Sequence, residues 1–180
     1  MFFLINYKSM KTHSLIRYFL CLCGCCFLFI LTSCATYSPS SEMTGLSSDL
    51  VIQRMGTPSK TFNDDNGFRL VFIRGPFGKH TYFLYFSTDD KLLRFEQVLK
   101  ESTFSLIKPG MTEEEVLNII GPSKIVMGGG KSSWSVWSYR YENSLCRWFQ
   151  VEFKSDNRVK SAEYGRPPEC NIRAPRAPGR

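Results

Sequence analysis

The side chains here with reactive potential are seven cysteines and very few histidines. A cysteine thiolate is a nucleophile or a metal ligand. Zinc, however, needs Cys and His in clusters, and no such spacing occurs. Beyond residue 33 the sequence holds one histidine, His80, so a Ser-His-Asp arrangement could use no other. Gly-x-Ser-x-Gly is absent. A lone His beside a run of aromatics reads as a structural or surface residue. Gly128-Gly129-Gly130-Lys131-Ser132 ends like a phosphate loop. The glycine that pattern needs five positions before Gly130 is Ile125, and a strand pattern follows instead of a helix. The stretch from Asn63 to Gly67 has the composition of a calcium loop, but its first ligand position falls on Phe62. The carboxylate pairs Asp64-Asp65 and Asp89-Asp90 lie in turn sequences that face water, a poor setting for general acid–base work. The expectation is a chain with no catalytic residue, no metal site and no small-molecule cofactor, and so not an enzyme.

One cysteine has a different chemistry. Lys11 and Arg17 precede a 14-residue apolar run from Tyr18 to Leu31, and Leu31-Thr32-Ser33-Cys34 follows. A basic stretch, an apolar run and small residues form the layout of a secretory signal peptide. The run is too short for a membrane-spanning helix, which needs about 20 residues. Met10-Lys11 makes a more typical start than Met1, and both starts stay open. Leu-Thr-Ser-Cys resembles the lipobox of bacterial lipoproteins. That resemblance implies that Cys34 becomes the first mature residue and carries acyl chains, palmitate among them. It also implies an outer-membrane address on the periplasmic face, since Ala35 and not aspartate follows the cysteine.

Removing residues 1–33 leaves 147, one ordinary domain or two small units, and lowers the formal charge from +7 to +4 because Lys8, Lys11 and Arg17 leave with no acid. So small an excess predicts mild attraction to anionic surfaces and no nucleic-acid partner. Cys146 and Cys170 are then the cysteines left in the folded part. They are either a disulfide, which the oxidising compartment favours, or two separate buried thiols.

Residues 34–48 are rich in Ser, Thr, Pro and Gly and read as a lipidated flexible tether. Residues 171–180, with three arginines and two prolines, read as a disordered basic tail. Between them lies a repeat, residues 49–99 and 100–170. Gly56 matches Gly121, Arg74 matches Arg140, and Leu84, Phe86, Asp89 and Glu96 match Val151, Phe153, Asp156 and Glu163, at a nearly constant offset. Each unit reads as a short helix followed by three strands. Thr112 with Glu115 forms a capping box, Val116, Ile119 and Ile120 an apolar stripe, and Gly121-Pro122 a stop. The expected fold class is α+β: two tandem units, each a short helix plus a three-stranded antiparallel sheet.

The stretch from Ile107 to Thr112, with Val116, Ile119, Ile120, Gly121 and Pro122, is similar to the SmpA/OmlA (BamE-like) family of outer-membrane lipoproteins. In that family Gly-Met-Thr opens a helix that ends in glycine and proline before a three-stranded sheet. The first unit is a weaker copy without Gly-Met-Thr, and the tandem arrangement resembles the β-lactamase inhibitor protein fold. The resemblance implies an envelope lipoprotein that assists outer-membrane-protein assembly, or else a periplasmic inhibitor that blocks a hydrolase through its sheet.

Strand alternation assigns the contact surface. Phe149, Val151 and Phe153 share one face. The second face would hold Phe83, Tyr85, Trp134 and Trp148, residues of the kind interfaces use. Either that face is open to a partner or the two units pack it between them. The expected partners are the outer membrane, through the anchor, and another envelope protein.

Overall fold

The computed structural model describes residues 36–128 and 134–170. Residues 1–35, which include the expected signal segment and Cys34, and residues 129–133 and 171–180 lie outside the described residues. Eight strands form two four-stranded antiparallel sheets. The first sheet has the order β1 (Lys60–Asp64), β2 (Gly67–Arg74), β3 (His80–Phe86), β4 (Leu92–Gln97). The second has β5 (Ile125–Gly128), β6 (Trp134–Arg140), β7 (Trp148–Lys154), β8 (Val159–Gly165). The helices are short: α1 (Ser48–Met55), α2 (Glu101–Phe104) and α3 (Glu113–Ile120), with 3-10 turns at Ser41–Met43, Pro76–Gly78 and Pro168–Cys170.

This corrects the expected class. Among the described residues the regular structure is mostly sheet, and neither sheet has three strands. The strands that the sequence pattern missed are β1 and β5, one at an edge of each sheet. Both pair through backbone hydrogen bonds while burying little side-chain surface. An edge strand needs no apolar alternation, so its sequence reads as loop.

The first sheet is covered on both faces, which is why β2 buries four residues in a row, Leu70 to Ile73. On one face, Leu70, Phe72, Leu84, Phe86 and Leu92 pack on Met43 and on Val51 and Met55 of α1. On the other, Val71, Ile73 and Phe83 join a larger cluster with Phe104 of α2, Val116 and Ile120 of α3, and Tyr139, Phe149, Val151 and Phe153 of the second sheet. Burial of such side chains stabilises by about 1.5–3 kcal/mol each. α3 touches both sheets. Arg69 of β2 donates to the Asn118 carbonyl and side-chain oxygens at 3.1 and 3.0 Å, and Tyr139 Oη of β6 donates to the Gly121 carbonyl at 2.9 Å.

Local chemistry accounts for the elements. Thr112 Oγ1 accepts from the Glu115 amide at 3.2 Å, and the Glu115 carboxylate accepts from the Thr112 amide at 2.7 Å, closing the capping box. Asp90 and Asn157, in the turns after β3 and β7, take φ of 56° and 58°, a conformation that Asp and Asn tolerate. Both sheets carry a register shift at the same place in the repeat, after Tyr85 and after Glu152.

Residues 36–48 are not a free tether. Pro39 and Met43 are buried. The Thr36 amide donates to the Arg54 carbonyl at 2.6 Å, Gly45 donates to Leu92 at 2.8 Å, and Leu92 donates back to Leu46 at 2.9 Å. The Ser/Thr/Pro/Gly composition concealed two apolar anchors, and backbone pairing with the start of β4 does the rest.

Candidate functional site

Sheet pleat sorts the four expected contact residues into two pairs. Phe83 and Tyr85 alternate with Leu84 and Phe86 on β3 and face the shared core. Phe83 is buried there. Tyr85 is half-buried, its Oη donating to Glu96 Oε1 at 2.7 Å with the Arg94 guanidinium 3.5 Å over its ring. Burial, and then the bond to Glu96, raises the Tyr85 pKa. Burial pulls the Glu96 carboxyl upward, but hydrogen bonds from Tyr85 and Arg94 hold it below the usual range. Because β2 and β3 are covered on both faces, these residues are packed between the units.

Trp134 and Trp148 lie on the opposite, outer face of the second sheet. There β6 positions 134, 136, 138 and 140 stand across from β7 positions 154, 152, 150 and 148. The two tryptophans are at opposite ends of that ladder, about 20 Å apart at the usual strand rise. Trp148 is 8% exposed. Arg140 covers its ring at 4.3 Å, and Gly165 lies beneath, where an added Cβ would come within 2.5 Å of Trp148 Nε1. Trp134 is 47% exposed. It lines a shallow depression of about 370 Å³ with Met127, Val136, Gln150, Glu152 and Glu163. The floor is polar and ordered: Gln150 Nε2 donates to Ser138 Oγ at 3.0 Å, and Lys160 bonds Glu152 at 2.9 Å. The Lys160 hydrogen bond lowers the Glu152 pKa. Met127 of the edge strand, in the same depression, is also exposed.

A second cavity, about 530 Å³, opens at the other end of the sheets. Sequence reasoning did not find it, because its walls come from four separate stretches of chain. Tyr37 Oη is hydrogen-bonded to His80 Nδ1 at 2.5 Å. His80 Nε2 stands 3.7 Å from Glu142, which Lys79 bonds at 2.7 Å, and that bond lowers the Glu142 pKa. Arg140 bonds Glu169 at 2.8 Å. Phe77 juts from the rim, 62% exposed with φ of 56°. Cys146 and Cys170 are bonded at its edge, with Cα atoms 6.3 Å apart, inside the usual disulfide range. His80 thus holds the N-terminal segment to the sheets through Tyr37.

Cys34 lies outside the described residues, as does most of the Gly128–Ser132 stretch. Among the described residues, no three His, Cys, Asp or Glu side chains are grouped to hold a metal ion, and no helix is long and apolar enough to cross a membrane.

No protein-family model matches the chain, and no curated protein matches it either. Among solved structures, the chain is similar to an extracellular protein containing an SCP domain from Bacillus anthracis, at 14% identity and a TM-score of 0.29, covering 75% of this chain. It spans about half of that protein, 48%. It is also similar to a DUF4309 family protein from Bacillus subtilis, at 13% identity and a TM-score of 0.27, covering 73% of this chain and 88% of the other. Likenesses this distant carry no argument about function.

Proposed function

We propose that this chain is a non-catalytic envelope lipoprotein, anchored to the outer membrane through Cys34, that acts by binding another envelope protein and assists outer-membrane-protein assembly. One observation carries the binding half of this reading. Three sheet faces are packed against helices or against each other, while the outer face of the second sheet is bare at its Trp134 end among the described residues. An exposed Trp beside Met127 and Val136, rimmed by Glu152 and Glu163, has the make-up of an interface centre with a polar rim. The anchor half is supported by the basic, apolar, small-residue, cysteine order at residues 11–34.

The test is affinity capture of the lipidated protein after mild crosslinking in cells, beside Cys34→Ser and Trp134→Ala. The reading predicts recovery of outer-membrane barrels or their assembly proteins, lost in both variants. Recovery of one soluble hydrolase, retained by Cys34→Ser and lost by Trp134→Ala, would contradict it and favour the inhibitor instead.

A further inference from the structure

We infer that the end of the molecule carrying Tyr37, Phe77 and Leu145 is a docking surface for an anionic phospholipid bilayer, and that this surface fixes the orientation of the protein on its membrane. The inference rests on the reading of Cys34 as the lipidated residue.

The anchor has little reach. Cys34 is two residues from Thr36 in sequence, which limits their Cα separation to about 7 Å. Thr36 is fixed by its hydrogen bond to Arg54, and Tyr37 by its bond to His80. Residues 36–48 are laid along the body and cannot act as a spacer. An anchor so close to a fixed point brings this end of the molecule against the bilayer and excludes the opposite end.

This end also exposes apolar side chains. Phe77 and Leu145 are 62% and 61% exposed, and Tyr37 is 48% exposed. Phe77 holds a positive φ that a bulky residue adopts only at a cost, and it spends that cost on facing solvent. Apolar and aromatic side chains around a lipid anchor add buried area at the headgroup level.

Charge favours the same end. Lys79, Arg140 and Arg147 are each neutralised by Glu142, Glu169 and Glu101. Arg54, Lys124 and Arg166 have no salt bridge among the described residues. Arg54 supplies the carbonyl that holds Thr36, Lys124 packs on the Pro76–Gly78 turn, and Arg166 precedes the cavity-lining Pro167. These three cations stand at the same end as Tyr37 without a carboxylate partner among the described residues, and basic residues beside an anchor are drawn to anionic headgroups.

The test uses the lipidated protein reconstituted in vesicles whose acyl chains carry bromine quenchers. Phe77→Trp adds a reporter at this end, and Leu145→Trp is a second in case the first disturbs the turn. Leu93→Trp is the control: it is exposed, and it lies where Phe86 pairs with Leu92, at the other end of β3 from His80. In vesicles rich in phosphatidylglycerol, the emission added at 77 or 145 is expected to be lost and that at 93 retained. The loss is expected to weaken in pure phosphatidylcholine and at high salt. Equal quenching at both ends, or quenching at 77 and 145 that ignores lipid charge and salt, would overturn the inference. The mass of the N-terminal peptide separates the two readings. An acylated Cys34 with unquenched reporters sinks the orientation alone, whereas an unmodified Cys34 sinks the anchor and the orientation with it.

Discussion

Trp134 and Trp148 point to the same side of the same sheet, and their neighbours give them opposite roles. Trp148 is clamped between the Arg140 guanidinium and the bare backbone of Gly165, so it belongs to the packing of that end. Trp134 has water over nearly half its surface. The expected outcome is a contrast. Trp148→Ala lowers unfolding free energy by about 3 kcal/mol, whereas Trp134→Ala changes it by about 0.5 kcal/mol or less and abolishes partner capture. Chemical denaturation of the two variants beside wild type checks this. Equal destabilisation would mean that Trp134 is also structural. The sequence separated the two faces of β7 correctly, because Phe149, Val151 and Phe153 alternate with polar residues. It could not separate Trp134 from Trp148, since what covers a ring depends on an arginine across the ladder and a glycine on the next strand.

At the scale of elements, the repeat was legible where two copies obey the same backbone demand. α1 and α3 both end in glycines, Gly56 and Gly121, with φ of 80° and 73° and ψ near 180°, a region open essentially to glycine alone. Their surroundings differ. An added Cβ at Gly56 meets nothing within 4 Å, while at Gly121 it comes within 3.1 Å of Phe83 and 3.2 Å of Thr81. Gly56→Ala is therefore expected to cost about 2 kcal/mol from backbone strain, and Gly121→Ala about 1 kcal/mol more, because Phe83 must shift inside the core. Thermal unfolding of the two variants reads the difference, and equal losses would show that α3 does not press on the first sheet. The edge strands β1 and β5 were illegible for the opposite reason. Lys60–Asp64 buries almost nothing, so its pairing leaves no apolar trace in the sequence. The covering of both faces of the first sheet was also hidden. A run such as Leu70 to Ile73 shows that both faces are apolar, but it does not name what covers each.

At the scale of the whole molecule, the two sheets set an axis. One end holds Tyr37, His80 and the disulfide. The Trp134 end of the outer face lies at the other end of β6, about 20 Å away, so the proposed partner and the proposed bilayer would not compete for one surface. The proposed anchor rests on residue order alone, because Cys34 lies outside the described residues, and nothing in the fold names the partner. The most direct measurement is site-specific photocrosslinking in cells, with a photoreactive residue at position 134 in one strain and at position 93 in another. The account predicts one discrete adduct from 134, containing an outer-membrane barrel or its assembly machinery, and none from 93. Adducts of the same protein from both positions, or none from either, would contradict the claim that this face is where the protein works.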